Sequence, residues 1–217
     1  MKYSTIIFDL DGTLLDTSQG IMRCVNYSAN KIGASALTVD QQKSFIGPPI
    51  LDSFIRECGL SENDARKAVE IYRERYKEKG LYEAKHYEQI KELLMLLNEQ
   101  KYKTAVATLK RDDFAKEILN YFHLAQFIHS INGIDDQDTH SKSDIIKLCL
   151  HELEHDDLAK VVMIGDSIYD AIGAEQVGID FIAVTYGYGF KNREEASQIK
   201  HVFIAENVTD IISYLSL

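Results

Sequence analysis

The chain has 217 residues, of which 45% are hydrophobic and 27% are charged, as expected for a globular protein with a substantial core. Its formal net charge of −10 argues against non-specific nucleic-acid binding, which needs a basic surface. The three cysteines are far apart and form no Cys-x-x-Cys pair, so we expect a reduced, cytoplasmic protein. No signal-peptide pattern and no run of 18 apolar residues is found, so no membrane span is expected.

The first part of the chain has the pattern of one buried strand followed by helices. The strand is predicted at about residues 5–10, and apolar residues at helical spacing then predict three helices. These helices are predicted to end near Gly33, Gly59 and Gly80. Because no convincing strand pattern occurs over residues 16–81, we predict that this part is a helical insertion.

From Tyr82 onward, apolar strands alternate with amphipathic helices. The strands are predicted at KTAVAT, FIHSI, KVVMI, DFIAVT and HVFIA. Such an alternation indicates a parallel sheet covered by helices on both faces. We therefore predict an α/β fold with a doubly wound, mostly parallel sheet and a Rossmann-type core. Residues 1–15 and 82–217 would form this core, and residues 16–81 would form an inserted all-helical cap domain.

Two aspartates stand where the first predicted strand ends, in IIFDLDGTLLD. Asp9 and Asp11 are two residues apart, so their side chains project to the same side of the strand. A solvated turn would explain Asp11, which precedes Gly12. It does not explain Asp9, which directly follows an apolar run. Because burying an unpaired carboxylate is costly, the pair indicates a functional site.

A second carboxylate pair follows a later strand, in VVMIGDSIYD. Asp166 comes at the strand end, and Asp170 lies one turn into the next helix. The carboxyl ends of parallel strands share one edge of the sheet, so both pairs can converge. Several like charges this close repel one another unless a cation lies between them. A hard divalent ion with oxygen ligands, above all Mg²⁺, is the expected partner, and it points to phosphate chemistry.

Two further residues fit a phosphate site at the same edge. Thr108 ends the strand in AVATLK, where it is followed by Lys110, and Lys142 is expected on a loop just before a helix in THSKSDII. Each would ordinarily be a solvated loop residue. As the third and fourth strand-end elements, Thr108 and Lys142 become candidates for binding phosphate oxygens.

The four segments together carry a resemblance. DLDGTLLD, ATLK, SKSDII and GDSIYD occur in the order of the four motifs of the haloacid-dehalogenase-like (HAD) hydrolases, so the chain resembles that superfamily from Asp9 to Asp170. The inserted helices, with FIGPPILDSF, and the later VTYGYG are similar to the phosphoglycolate-phosphatase-like branch.

The resemblance implies a phosphatase that hydrolyses a small phosphorylated metabolite through an aspartyl-phosphate. The substrate could be phosphoglycolate-like, a nucleoside monophosphate or a sugar phosphate. Asp9 would be the nucleophile, and Asp11 would be the general acid and then the general base. Thr108 and Lys142 would bind the transferring oxygens.

The resemblance also implies a metal site. Mg²⁺ would be held by Asp9, Asp166 and the backbone carbonyl of Asp11. Asp170 would play a supporting role, by orienting either a metal-bound water or Lys142. Because dehalogenases of this superfamily lack the second aspartate of the first motif, Asp11 favours phosphate esters.

Two other functions share some of these features. A sugar phosphomutase would share the cap and the phospho-aspartate, whereas a receiver-like phospho-acceptor would be shorter and have no cap. HELEH matches a zinc-protease pattern, but His151 and His155 are predicted on the solvent face of a helix. Asp16 is expected to cap the first helix of the insertion.

Overall fold

The computed structural model describes residues 2–135 and 139–217. The chain divides into two compact units, one formed by Met1–Leu15 with His86–Leu217 and the other by Asp16–Lys85. The smaller unit therefore ends at Lys85, four residues later than the predicted boundary between residues 81 and 82. Within the smaller unit, the backbone of Glu83 accepts a hydrogen bond of 3.0 Å from the N–H of Gly20, which keeps residues 82–85 with the helices.

The described elements follow in chain order. They are β1 (Thr5–Phe8), β2 (Leu15–Asp16), α1 (Ser18–Lys31), α2 (Val39–Lys43), α3 (Ile50–Cys58), α4 (Glu62–Glu78), β3 (Lys85–His86), α5 (Ile90–Glu99), β4 (Lys103–Arg111), α6 (Asp112–Tyr121), β5 (Ser130–Ile134), α7 (Lys142–Glu152), β6 (Val161–Gly165), α8 (Ile168–Val177), β7 (Asp180–Val184), α9 (Arg193–Ala196), β8 (Phe203–Ala205) and α10 (Val208–Leu215). Short 3₁₀ turns lie between several of them.

Six strands of the larger unit form one sheet in the order β5-β4-β1-β6-β7-β8, and every neighbouring pair is parallel. The predicted α/β fold with a doubly wound parallel sheet is therefore confirmed. The chain runs from β1 to β4 and β5 on one side, and it then returns to β6, β7 and β8 on the other side. The carboxyl end of β1 thus lies at a topological switch point, where open α/β sheets place their ligand sites.

One strand begins later than the sequence predicts. FIHSI marked the strand, but β5 begins at Ser130 because Ala125–Phe127 forms a 3₁₀ turn. The N–H of His129 donates to the carbonyl oxygen of Thr104 at 2.9 Å, just before the ladder starts. In contrast, β4 extends beyond the predicted KTAVAT to Arg111, and its pairing with β5 shifts register between Ala107 and Arg111.

The smaller unit contains α1 to α4. The helix α2 was not predicted, because none of its residues is buried and it has no apolar stripe. It is instead defined by a capping box between Thr38 and Gln41. Asp16 was predicted to cap α1, but the N-cap residue is Thr17; Oδ1 of Asp16, one residue earlier, accepts hydrogen bonds from the N–H and the hydroxyl of Ser18 at 3.1 and 2.6 Å. Among the described residues, no helix is long and apolar enough to cross a membrane.

The central position of β1 makes its side chains sensitive to truncation. Ile7 is fully buried, whereas Ile172 on α8 is 45% exposed. We expect Ile7→Ala to lower the free energy of unfolding by about 2–5 kcal/mol, because it removes buried methyl groups and leaves a cavity. The matched control Ile172→Ala should change it by about 0.5 kcal/mol or less. Urea unfolding followed by circular dichroism measures both, and equal losses would contradict the central role of β1.

Candidate active site

Asp9 and Asp11 follow β1 on a tight turn. The strand ends at Phe8, two residues earlier than predicted, because the carbonyl oxygen of Leu10 accepts N–H bonds from Leu14 and Leu15, both at 3.0 Å. The chain therefore turns back immediately after the strand. Both aspartate side chains are buried at the end of β1.

The ammonium of Lys142 lies among three oxygens. It donates to Oδ1 of Asp9 at 2.6 Å and to the carbonyl oxygen of Ala107 at 2.9 Å, and it forms an ion pair with Oδ1 of Asp170 at 2.7 Å. The ammonium thus donates to two oxygens, and its contact with Oδ1 of Asp170 is an ion pair without a hydrogen bond. Burial disfavours the charge, but Asp170 and Asp9 outweigh it and raise the pKa of Lys142 above its ordinary value.

Lys142 owes this position to the start of α7. The sequence predicted it on a loop before the helix, whereas it is the first residue of α7. Ser141 precedes it as the capping residue and forms a reciprocal capping box with Asp144. A capped helix end is a rigid base for a side chain that must reach across to β1.

The two carboxylate oxygens of Asp170 face different protein groups. Its Oδ2 accepts hydrogen bonds from the N–H and the hydroxyl of Ser167, at 3.0 and 2.6 Å, at the beginning of α8. Its Oδ1 faces Lys142. The side chain therefore joins the end of β6 to the ammonium of Lys142.

Asp166 follows β6 and is held by a later loop. Its Oδ2 accepts N–H bonds from Tyr188 at 2.7 Å and Gly189 at 3.0 Å, both in the VTYGYG segment. Burial and the neighbouring Asp170 raise the pKa of Asp166 to about 7, although the two backbone N–H groups oppose that rise.

Asp9, Asp166 and Asp170 form a carboxylate cluster in which one oxygen of each lies within 4.8 Å of the others. Burial, together with Asp170 and Asp166, raises the pKa of Asp9 well above its usual range, and Lys142 opposes this shift. Three carboxylates beside one ammonium leave excess negative charge in a buried place. Oxygen donors with that charge suit a hard divalent cation, so the residues fit the predicted Mg²⁺.

Asp11 lies apart from this cluster and pairs with Lys110. The Nζ of Lys110 is 2.9 Å from Oδ2 of Asp11, and the two side chains are only 6% and 9% exposed. Thr108 is buried on the same stretch of β4, and its hydroxyl oxygen accepts the N–H of Lys110 at 3.1 Å. Lys110 was not among the residues predicted for the site. The spacing of Lys110 could have indicated this contact, because Lys110 lies two residues beyond Thr108 at the same strand end.

Comparison with known proteins identifies the family. The sequence profile described as haloacid dehalogenase-like hydrolase matches residues 6–184, which span all four motifs. The chain belongs to this family. This confirms the resemblance to the haloacid-dehalogenase-like hydrolases that was found in the sequence. It also confirms the predicted enzyme class, a phosphatase of this superfamily.

Individual relatives support the assignment over nearly the whole chain. A 5'-nucleotidase of Pseudomonas aeruginosa is 37% identical over 205 residues, which cover 93% of this chain and 91% of that protein. The tyrosine-protein kinase PtkA of Mycobacterium tuberculosis is 32% identical over 211 residues, 95% of this chain and 72% of that protein. A solved haloacid dehalogenase-like family hydrolase from Streptococcus pneumoniae matches with a TM-score of 0.90 at 31% identity, over 99% of each chain.

The HELEH segment of this hydrolase does not form a zinc site. The helix α7 ends at Glu152, so His155 lies beyond the helix, contrary to the prediction. Nδ1 of His155 is 3.1 Å from the hydroxyl oxygen of Thr5, and its Nε2 is 3.0 Å from the carbonyl oxygen of Asp157. His151 is exposed, as predicted. With both nitrogens of His155 engaged, the pair lacks the open ligand atoms that a metal needs.

The raised pKa of Asp166 predicts how pH changes the effect of Mg²⁺ on stability. Because this pKa rises from about 4 in the unfolded chain to about 7 on folding, the ion-free protein loses stability from this group as pH rises between those values. A bound cation offsets this loss of stability at high pH, whereas at low pH protons compete with the cation for the carboxylate. Saturating Mg²⁺ should therefore raise the melting temperature more at pH 8 than at pH 5.5. Calorimetry at both pH values measures this, and an equal rise would contradict the assignment.

Proposed function

We propose that this hydrolase is a Mg²⁺-dependent phosphatase that cleaves a small phosphomonoester through an aspartyl-phosphate on Asp9. The observation that carries the proposal is the surroundings of Asp9. This buried carboxylate stands at the switch point of the sheet, 2.6 Å from the ammonium of Lys142 and clustered with Asp166 and Asp170.

The chemistry would proceed in two displacements. A carboxylate oxygen of Asp9 attacks phosphorus and the ester oxygen departs, taking a proton from Asp11. Water then attacks the phosphorus of the acyl phosphate, and Asp11 accepts a proton from it. The second step releases phosphate and restores both carboxyl groups to their starting states. Each step is easier than direct displacement by water.

Asp9 and Asp166 would hold the Mg²⁺, together with the predicted backbone carbonyl of Asp11. When bound, the ion supplies charge neutralisation between an anionic nucleophile and an anionic phosphate. Asp170 is better suited to hold Lys142, because its two oxygens already face Ser167 and that ammonium. This supports the reading in which Asp170 orients Lys142.

The groups around Asp11 suit proton transfer and phosphate binding. Lys110 pairs with the carboxylate of Asp11 at 2.9 Å, so it positions this side chain and favours the base form that accepts a proton from water in the second step. The hydroxyl oxygen of Thr108 accepts a backbone N–H, which leaves its own O–H as a donor for a phosphate oxygen. Lys142 donates to Asp9 and Ala107 and its charge faces Asp170, so its contribution would be to orient Asp9 and balance charge as phosphate enters.

Nucleoside 5'-monophosphates are the first substrates to test, because the similarity to the 5'-nucleotidase covers more than nine-tenths of both chains. Phosphoglycolate and sugar phosphates complete the panel, with Mg²⁺ present. Release of inorganic phosphate supports the proposal. Conversion of a sugar 1-phosphate to the 6-phosphate without release would indicate a phosphomutase, and stable phosphorylation without turnover would indicate a receiver-like phospho-acceptor.

Replacement of the nucleophile tests the mechanism. Asp9→Asn should lower turnover at least about 10³-fold, because an amide cannot form the acyl phosphate. The circular dichroism spectrum should stay unchanged. Asp16→Asn is the matched control, since Oδ1 of Asp16 accepts from Ser18 at the beginning of α1 and the amide oxygen of asparagine can do the same, and it should keep nearly full activity. Retention of more than a few per cent of turnover by Asp9→Asn would remove Asp9 from this role.

The ion pair at Asp11 predicts a second effect. Lys110→Met keeps the length of the side chain but removes the partner of Asp11, and it should lower kcat/KM about 10- to 100-fold. Lys116→Met is the control, because Lys116 also pairs with an aspartate, Asp112 at 2.7 Å, but is about half exposed. Steady-state kinetics on the best substrate measures both variants. Similar small effects of both substitutions would show that Lys110 does not support Asp11.

A further inference from the structure

The loop that follows β7 surrounds the carboxylate of Asp166. The N–H groups of Tyr188 and Gly189 both donate to its Oδ2. The N–H of Phe190 donates to the backbone carbonyl oxygen of Asp166 at 2.8 Å. Three successive residues of this loop are therefore bonded to one aspartate, and Phe190 is itself buried.

Tyr186 ties the loop to the turn after β1. Its hydroxyl donates to the carbonyl oxygen of Thr13 at 3.0 Å. Its ring meets the ring of Tyr87 edge to face, with 4.8 Å between the centroids. The N–H of Tyr87 donates in turn to the carbonyl oxygen of Leu14 at 3.2 Å. The loop and the first motif are thus joined by side-chain and backbone contacts.

Two glycines leave no spare room around Asp166. A Cβ on Gly187 would lie 2.3 Å from Oδ2 of Asp166 and 2.4 Å from the carbonyl oxygen of Gly12. A Cβ on Gly12, whose φ is +82°, would lie 2.2 Å from the same Oδ2. The carboxylate therefore sits between two backbone segments, and only glycine permits that close approach.

We infer that residues 186–189 act as a clamp that leaves Asp166 a single oxygen, Oδ1, for a cation, and that Tyr186 is the positioning residue of this clamp. The inference rests on the proposed Mg²⁺ site. Two N–H donors occupy Oδ2, so a cation at the cluster meets Asp166 through one oxygen. Mg²⁺ requires near-octahedral geometry with single-oxygen carboxylates, whereas Ca²⁺ accepts two-oxygen carboxylates and irregular shells. The clamp thus favours Mg²⁺ over Ca²⁺.

Removal of one hydroxyl tests this. Tyr186→Phe keeps the ring but loses the bond to Thr13, so the loop is free to shift and Oδ2 is less firmly held. Calorimetric titration of the folded, ion-free protein with MgCl₂ and with CaCl₂ measures each affinity without substrate. We expect Mg²⁺ binding to weaken about 3- to 10-fold, as for the loss of one hydrogen bond, and Ca²⁺ binding to weaken less. Tyr169→Phe is the control, since Tyr169 is 39% exposed on α8.

Gly187→Ala provides an independent variant. Its methyl group would displace either Asp166 or the backbone of Gly12, so Mg²⁺ binding should weaken more than 10-fold. Mg²⁺ affinities of Tyr186→Phe and wild type that agree within twofold would overturn the clamp. So would equal losses for Mg²⁺ and Ca²⁺ accompanied by a lower melting temperature, since that pattern indicates a merely structural role. If the wild-type protein binds no Mg²⁺, the proposed metal site fails and the clamp fails with it.

Discussion

The ammonium of Lys142, held between Asp9 and Asp170, is the interaction on which the site depends. Four buried aspartates converge at one end of the sheet, and like charges this close repel strongly in a medium with little water. The ammonium contacts two of them and is anchored to the carbonyl oxygen of Ala107 on the neighbouring strand. This arrangement requires β1 to lie between β4 and β6, because only then do the strand ends that carry these groups meet.

The four aspartates are the same residue type, but each has a different partner. Asp9 faces Lys142, Asp11 faces Lys110, Asp166 receives two backbone N–H groups, and Asp170 accepts from Ser167 and pairs with Lys142. Environment is what separates the roles of identical carboxyl groups in enzymes. In the proposed mechanism, Asp9 and Asp11 each face an ammonium and act as nucleophile and proton carrier. Asp170, which faces Ser167 and Lys142, would orient its neighbours.

The sequence allowed the sheet, its crossover and the strand-end aspartates to be predicted, because apolar runs and the carboxylates that follow them are visible in the residues themselves. It did not reveal α2, which lacks a buried face and depends on a capping box. It also did not reveal the hydrogen bonds to Asp166. Their donors are backbone N–H groups, which every non-proline residue has, so no residue type marks them. The pairing of Lys110 with Asp11 depends on how β4 continues past the predicted strand, where its register with β5 shifts.

The strand order has a consequence for the newly made chain. β1 is synthesised before both of its sheet partners, and β6 begins only at Val161. At about 5–20 residues per second, a ribosome needs about 10–30 s to supply that second partner. Until then, the apolar strand Thr5–Phe8 can pair with β4 on one edge only, and its other edge stays unpaired. Non-local pairing of this kind slows folding and exposes apolar segments to aggregation, so shielding of β1 by chaperones should matter while the rest of the sheet is being synthesised.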